Sequence, residues 1–380
     1  MKKSCLTVVL VSFAWILQAQ DRSWSSENSL LWPHERRDIA YRNIEKIYPV
    51  RTVPAGGNVK RLDAGQPLAV GVDIDAYMRD QYAAGLIVLH HGKVVLEKYA
   101  RGYDASGRWL SQSMAKSITS ILVGAAIHDG AVTGPDDPVI KYLPEMKGSA
   151  YDGVTLRQTL TMTSGVKWNE DYTDKDADTA KYGRTEPEGD IDPTVVYLKK
   201  LPREAPPGSK WLYKTGETNL IGVILKKAVG KPLAQYLSEK IWRTYGMERD
   251  AVWQLNKAGM EWSGCCMAVS LRDYARFGQF VLDGGKAQGK QVVDPKYLKE
   301  ATRKQADTGR TDGSGYGFQW WTLPDGSYYA VGIFGQSMFI DPKREVVMAT
   351  SGNWPTATDR EKLGPARLQF FKAVQAAVRQ

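Results

Sequence analysis

"LSQSMAKSITS", residues 110–120, is the stretch on which the reading of this chain turns. It sets Ser113 and Lys116 three apart at the head of a segment with Ile118, Ile121, Leu122, Ala125 and Ala126 on one face and Gly130 as a stop. That periodicity predicts a helix from about Gln112 to His128. Residues i and i+3 of a helix share a face, so the lysine amine can reach the serine hydroxyl one turn away. A serine hydroxyl needs a base to become a nucleophile, and lysine serves only when neutral, well below its usual pKa of about 10.4. Desolvation and neighbouring cations supply such a shift. Ser-x-x-Lys alone is common and usually marks a solvated first turn, so the rest of the chain has to decide.

Other hydrolytic chemistries find little support. The four histidines, His34, His90, His91 and His128, sit in the N-terminal arm, at a strand end and at a helix end, and no Gly-x-Ser-x-Gly turn is present. Neither a His-Glu-x-x-His nor a His-x-x-Glu-His metal pattern occurs, so no metal or organic cofactor is expected. The base of a hydrolase built here is then Lys or Tyr. In "WLYKTGETNLIGVIL", residues 211–225, the spacing of Leu220, Ile221, Ile224, Leu225 and Val229 is helical from Asn219, which puts Lys214-Thr215-Gly216 in the turn entering that helix. Tyr213, just before it, is a phenol that can give and take a proton; plain buried packing is its other reading.

The 380 residues allow two or three lobes, and 43% hydrophobic with 24% charged residues is ordinary for a globular chain. "MKKSCLTVVLVSFAWILQAQ" places two lysines before a mostly apolar run from Cys5 to Leu17, too short to span a bilayer comfortably. This reads as a signal peptide over residues 1–20, giving an exported (periplasmic or secreted) protein with no later membrane segment. Only Cys265 and Cys266 would then remain, and adjacent Cα atoms, about 3.8 Å apart, fall below the usual disulfide range, so a ring between them would be strained and two buried, free thiols are expected. The net charge of +9 comes with no basic run interleaved with aromatics, so nucleic acid is not an expected partner. Nothing in the sequence reads out an oligomeric state.

After an arm over residues 21–60, "GLIVLHHGKVVLEKYARGY" reads as two strands turning at His91-Gly92. Residues 131 to about 260 are mainly helices and long loops. Within them Glu170 to Asp192 holds nine Asp/Glu against three Lys/Arg, read as a solvated loop at a cleft rim because it lacks the glycine and terminal Glu of a calcium loop. Strands return at Ser337–Ile340 and Glu345–Ser351, and a helix over about 361–378 closes the chain. "SLRDYARFG" (270–278) has capping-box spacing at Ser270 and Asp273, and "GYGFQWW" (315–321) is expected to wall a pocket. The fold class is therefore α/β (α+β): an antiparallel sheet completed by both termini and flanked by helices, about 61–130 and 261–380, with a helical lobe inserted over about 131–260.

Taken together, "SQSMAKS" (111–117), "DPVIKYLPE" (137–145), "VTLRQTLTMTSGVKWNEDY" (154–172), Tyr213 with Asn219, "SLRDYARFG", "GYGFQWW" and "GIFGQ" (332–336) resemble the serine β-lactamase and penicillin-binding-protein superfamily. Within it they are most similar to the esterase and 6-aminohexanoate-dimer hydrolase branch related to class C β-lactamases. The resemblance runs from about residue 60 to the C-terminus and implies a β-lactamase/transpeptidase-like fold. By resemblance Ser113 is the acylated nucleophile, Lys116 and Tyr213 share the proton transfer, and backbone N–H groups of Ser113 and Gln336 form the oxyanion hole, with Gly335 beside it. Tyr172 resembles the loop tyrosine that oligomer hydrolases place over the substrate amide; loop packing is its alternative. The family's late-strand Lys-Thr-Gly aligns with Ile333-Phe334-Gly335, so the cation that grips a β-lactam carboxylate is missing, and Lys214-Thr215-Gly216 is a coincidental match. The function implied is cleavage of a small-molecule amide or ester through an acyl-enzyme. A β-lactamase or D-Ala-D-Ala peptidase, and a non-catalytic envelope-binding module, remain open at this point.

Overall fold

The computed structural model describes Trp24, Glu27 and residues 29–378, so the segment read as an export signal, with Cys5, lies outside the described residues. Strands β1 (Ala83–His90) and β2 (Lys93–Tyr99) form the expected hairpin, with His91 and Gly92 in the left-handed region at φ 50 and 72. Ala84, Ile87 and Leu89 of β1 enter the main core, whereas Ala83, Leu86 and Val88 enter a second core on the opposite face of the sheet. A strand buried on both faces reads as a continuous apolar run rather than an alternating one, which is why "AAGLIVLH" carries no polar residue before its end.

Helix α1 (Met114–His128) and helix α2 (Thr215–Val229) lie in the main core, sharing it through Ile118, Ile121 and Leu122 from one and Leu220, Ile221 and Ile224 from the other. Shorter helices at Val139–Tyr142, Leu156–Leu160, Asp178–Tyr182, Pro193–Leu198 and Leu233–Leu237 complete the inserted region. Helix α3 (Leu271–Leu282) is capped by Ser270, whose hydroxyl accepts the Asp273 N–H at 3.1 Å, and it turns Ala275, Phe277 and Phe280 into the main core. Strands β3 (Tyr328–Val331), β4 (Ser337–Asp341) and β5 (Val346–Gly352) then follow, and helix α4 (Leu363–Ala377) ends the described chain.

One antiparallel sheet of eight strands results, in the order β2-β1-β5-β4-β3 followed by Trp321–Thr322, Gly315–Tyr316 and Ala306–Asp307. The N-terminal hairpin pairs with the C-terminal strand, Met348 opposite Val88 and Ala349 opposite Ile87, so both ends of the chain complete one sheet. Helix α3 covers one face, and α4 covers the other with Phe370, Phe371 and Val374. Each large side chain buried there contributes about 1.5–3 kcal/mol by leaving water. A second, four-stranded sheet joins Val50–Val53, Ala251–Gln254, Met267–Val269 and Trp109–Leu110 in that order. It positions the site, because Trp109–Leu110 leads directly into Ser113 and Met267–Val269 leads directly out of the cysteine pair. Among the described residues no helix is long and apolar enough to cross a membrane.

The expectation of free thiols is corrected by the structure, in which Cys265 and Cys266 are joined by a disulfide across a Cα separation of 3.7 Å. Cα separation alone was the wrong criterion. Cys266 holds φ +74, a left-handed backbone that turns its side chain back towards that of Cys265.

Candidate active site

Ser113 stands where a turn becomes a helix. Gln112, immediately before it, adopts φ +45 and is fastened by its side-chain amide, which donates to the Tyr41 hydroxyl at 3.0 Å. A non-glycine residue in that region is held there by its surroundings, and such positions cluster at functional sites. Lys116, one turn into α1, donates from Nζ to Ser113 Oγ at 3.0 Å, to Thr215 Oγ1 at 3.0 Å and to the Gly264 carbonyl at 2.7 Å. Ser113 is half-buried while Lys116 is 1% exposed, so the serine is the more accessible of the two. Burial pushes the Lys116 amine down to about 8, with the Glu170 carboxylate acting against that shift.

Tyr213 closes the triangle. Its ring lies 5.2 Å from Lys116 Nζ, and hydrogen bonding with Ser113 lowers its pKa, but burial first and the charge of Glu170 second hold the phenol well above its ordinary value. Trp321 stacks on the Tyr213 ring at 6.1 Å and 16°, and Tyr316 meets it edge-on at 6.5 Å, so "GYGFQWW" does wall the site. The two titrating groups therefore divide their work. An amine near 8 is neutral in about one molecule in ten at pH 7, whereas a phenol raised from 10 stays protonated. Lys116 is the group able to take the serine proton, and Tyr213 is the one able to relay or donate.

Glu170 belongs to the same constellation, although the sequence showed it only as the first residue of an acidic stretch. Its carboxylate accepts the Thr215 N–H at 2.9 Å and the Tyr172 hydroxyl at 2.9 Å, and also the Thr215 hydroxyl and the Trp168 indole N–H. Thr215 thus links Glu170 to Lys116. We expect Glu170→Gln to lower kcat/KM by about 10- to 100-fold, because one hydrogen bond to a charged group is worth about 1.5–3 kcal/mol and an amide cannot accept from all four donors. Glu170 raises the Lys116 pKa, so its removal should also move the acid limb of the pH–rate profile to lower pH. A profile unchanged in both height and position would contradict this role.

The remaining predicted residues fall as follows. Tyr172 is half-buried and bonded to Glu170; the nearby phenol of Tyr213 helps to raise its pKa, which puts the two tyrosines in one neighbourhood. Gly335 (φ +100) lies against the Trp354 indole, and Gln336 is fully buried with its carbonyl accepting the Gly332 N–H at 2.9 Å. It is Gly332 that comes up to Ser113. A Cβ built there would lie 2.5 Å from the Ser111 carbonyl oxygen, 2.8 Å from Gln112 Cβ and 3.2 Å from the Ser113 amide nitrogen. Gly332→Ala would push the end of β3 off the Ser113 amide. A misplacement of about 1 Å costs on the order of 10²-fold in rate, and we expect a loss of that size in kcat together with a loss of stability, since the nearest atom is backbone; an alanine variant with wild-type kcat would refute the close approach.

Lys214, by contrast, is 1% exposed and points away from the site, donating to the Leu212 carbonyl at 3.1 Å and lying 3.7 Å from Glu217. The tripeptide Lys214-Thr215-Gly216 therefore sits at the start of α2, as the helical spacing requires, and not on a strand.

The family model described as "Beta-lactamase" matches residues 73–370. The chain belongs to the β-lactamase family. Over 350 residues it is 29% identical to the 6-aminohexanoate-dimer hydrolase of Paenarthrobacter ureafaciens, covering 86% of this chain and 88% of that protein. Among solved structures, a Bacillus anthracis protein provisionally named a 6-aminohexanoate-dimer hydrolase superposes with a TM-score of 0.76 at 20% identity, over 94% of this chain and 96% of that one. A class C β-lactamase superposes with a TM-score of 0.60 at 15% identity, over 81% and 94%. At those identities the two structures establish the shared fold. The protein is thus a serine hydrolase of the β-lactamase family, similar in sequence to the 6-aminohexanoate-dimer hydrolase.

The resemblance had singled out Ser113, Lys116 and Tyr213, and these lie together. Gly264 and Thr215 as partners of Lys116, and Glu170 behind them, carried no motif of their own. The one available signal for Glu170 was its place in "WNEDY", with Trp168 and Tyr172 two residues away on either side.

Proposed function

We propose that this β-lactamase-family protein cleaves a short linear amide or a small ester through an acyl-enzyme on Ser113. The observation that carries the reading is the contact of Ser113 Oγ with a buried lysine amine at 3.0 Å, beside the phenol of Tyr213. Neutral Lys116 takes the hydroxyl proton as Ser113 attacks the carbonyl carbon. The oxyanion that forms rests on the Ser113 N–H and on a backbone N–H from the 332–336 segment, where donors aimed at developing charge are worth several kcal/mol. Tyr213 protonates the leaving amine or alkoxide and is reprotonated from Lys116. Water, deprotonated by the same pair, then attacks the acyl-Ser113 ester and releases the acid.

The similarity to the 6-aminohexanoate-dimer hydrolase supports an aminohexanoate-type amide as substrate. So does the position of the late-strand cation, which Ile333 occupies here, while Lys214 is engaged elsewhere. Both points weigh against a β-lactam or D-Ala-D-Ala peptide. The sequence of residues 1–20 supports export, so hydrolysis would take place outside the cytoplasm.

Turnover of the linear aminohexanoate dimer, a p-nitrophenyl ester and nitrocefin under one set of conditions tests the substrate reading. We expect the dimer or the ester to be turned over and nitrocefin to be slow; rapid nitrocefin hydrolysis with neither of the others would overturn it. Export is checked by cell fractionation with the intact N-terminus, where retention of the full-length chain in the cytoplasm would count against it.

A further inference from the structure

The disulfide lies between the two contacts that hold the catalytic segment. On its N-terminal side the Gly264 carbonyl accepts from Lys116 Nζ at 2.7 Å. On its C-terminal side the Met267 carbonyl accepts the Ser111 N–H at 2.6 Å, and the Met267 N–H donates to Ser111 Oγ at 3.1 Å. Ser111 is two residues before the nucleophile. Between these anchors stand only Cys265 and Cys266, both half-buried, with residue 266 at φ +74.

Hydrogen bonds from the surroundings hold the peptide groups of this segment, and the ring adds a covalent link between its two side chains. Asn219 Oδ1 accepts the Gly264 N–H at 2.8 Å, the Trp253 indole donates to the Cys265 carbonyl at 3.0 Å, and the Gln254 N–H donates to the Cys266 carbonyl at 3.0 Å. A left-handed backbone is disfavoured for any residue with a Cβ, so a conformation that joins the two anchors needs something to hold residue 266 in it. The link between the two side chains does this.

We infer that the Cys265–Cys266 disulfide is a positioning element of the active site: by holding residue 266 left-handed it keeps the Gly264 carbonyl on Lys116 and Met267 on Ser111, so that acylation depends on the oxidised form. The inference rests on the assignment of Ser113 and Lys116 as nucleophile and base. Reduction by a small dithiol breaks the S–S bond. Two electrons and two protons pass to the cysteines, leaving two thiols, and the dithiol departs as its cyclic disulfide. Residue 266 is then free to leave φ +74, and the two anchors are no longer tied at a fixed spacing.

The test compares the rate of Ser113 labelling by a fluorophosphonate, and kcat and KM for an ester, in the full chain as purified, after dithiothreitol and after reoxidation. Thiols are counted at each stage. We expect one free thiol, that of Cys5, in the oxidised full chain and three in the reduced. Labelling and kcat should fall about tenfold on reduction with KM nearly unchanged, and should return on reoxidation. Two variants separate the backbone effect from general damage. C265A/C266A should match the reduced protein and ignore dithiothreitol. C265A/C266G, in which glycine accepts the left-handed conformation without a ring, should recover a large part of the lost rate.

Equal labelling and kcat in oxidised and reduced protein, equal rates in the alanine and glycine variants, or three free thiols in the full chain that persist under oxidising conditions would each overturn the inference while leaving the hydrolase reading intact. No labelling of Ser113 in any form would count against the hydrolase reading itself, and would remove the inference with it.

Discussion

Replacing Ser113 with alanine is expected to lower kcat/KM by roughly 10⁶-fold, the loss seen when a serine hydrolase is deprived of its nucleophile. The reason is specific to this site. Ser111 and Ser117, the hydroxyls nearest to it in sequence, are both fully or nearly fully buried and already bonded, Ser111 Oγ to the Gln112 carbonyl at 2.8 Å and Ser117 Oγ to the Gln319 carbonyl at 2.7 Å. Neither can take over attack on a carbonyl in the cleft. The variant should keep its fold, because the half-exposed hydroxyl it loses fills no core position. Esterase activity in highly purified S113A within a hundredfold of wild type would show that another group does the chemistry.

The second large effect is expected at Lys116. Lys116→Met keeps the length and most of the volume of the stem but removes the base, and general-base catalysis is worth about 10²–10⁴-fold. The pH dependence supplies the sharper readout. Below about 8 the amine carries its proton and cannot accept another, so wild-type kcat/KM should rise with pH through about 8 and level off above it. The methionine variant should show no step there. The same shift has a consequence for folding. The folded amine loses its proton near 8 while the unfolded one holds it to about 10.4, so this group makes stability rise with pH across that window and adds nothing below it. A wild-type profile flat between pH 6 and 9, with chemistry shown to be rate-limiting, would refute Lys116 as the base.

How much of this could be read from the chain depends on the range of each interaction. Ser113 and Lys116 were legible because their contact is local, one helical turn at 3.0 Å. The sheet was legible because "AAGLIVLH" and its C-terminal partners are apolar runs bounded by turn residues, and a run of that kind has few folds open to it. Glu170 was not legible, since it meets Thr215 across 45 residues and its own neighbours in sequence are solvated aspartates. Gly264 acts through a backbone carbonyl, which any residue would offer, so no residue type could mark it. The disulfide was misjudged for a different reason: adjacency fixes the Cα separation but says nothing of the backbone at Cys266, whose positive φ accompanies the closed ring. Gly332 is an intermediate case, a glycine in a quoted motif whose close approach to Ser113 appears only when strand β3 is brought against the head of α1.

These contacts also explain why the site tolerates an amine below the surface. Lys116 meets three acceptors, and the negative charge that opposes its deprotonation, Glu170, is placed one residue further away behind Thr215. Direct contact with the carboxylate would hold the amine charged; with the carboxylate set back, burial takes it down to about 8.

The most direct measurement of the central claim is peptide mapping after an ester substrate is mixed with the enzyme and quenched in acid during turnover. A single acyl adduct is expected in the tryptic peptide Trp109–Lys116, on Ser113, and it should disappear on longer incubation as water releases it. No adduct during demonstrated turnover with acylation faster than release, or an adduct on any other residue, would contradict it.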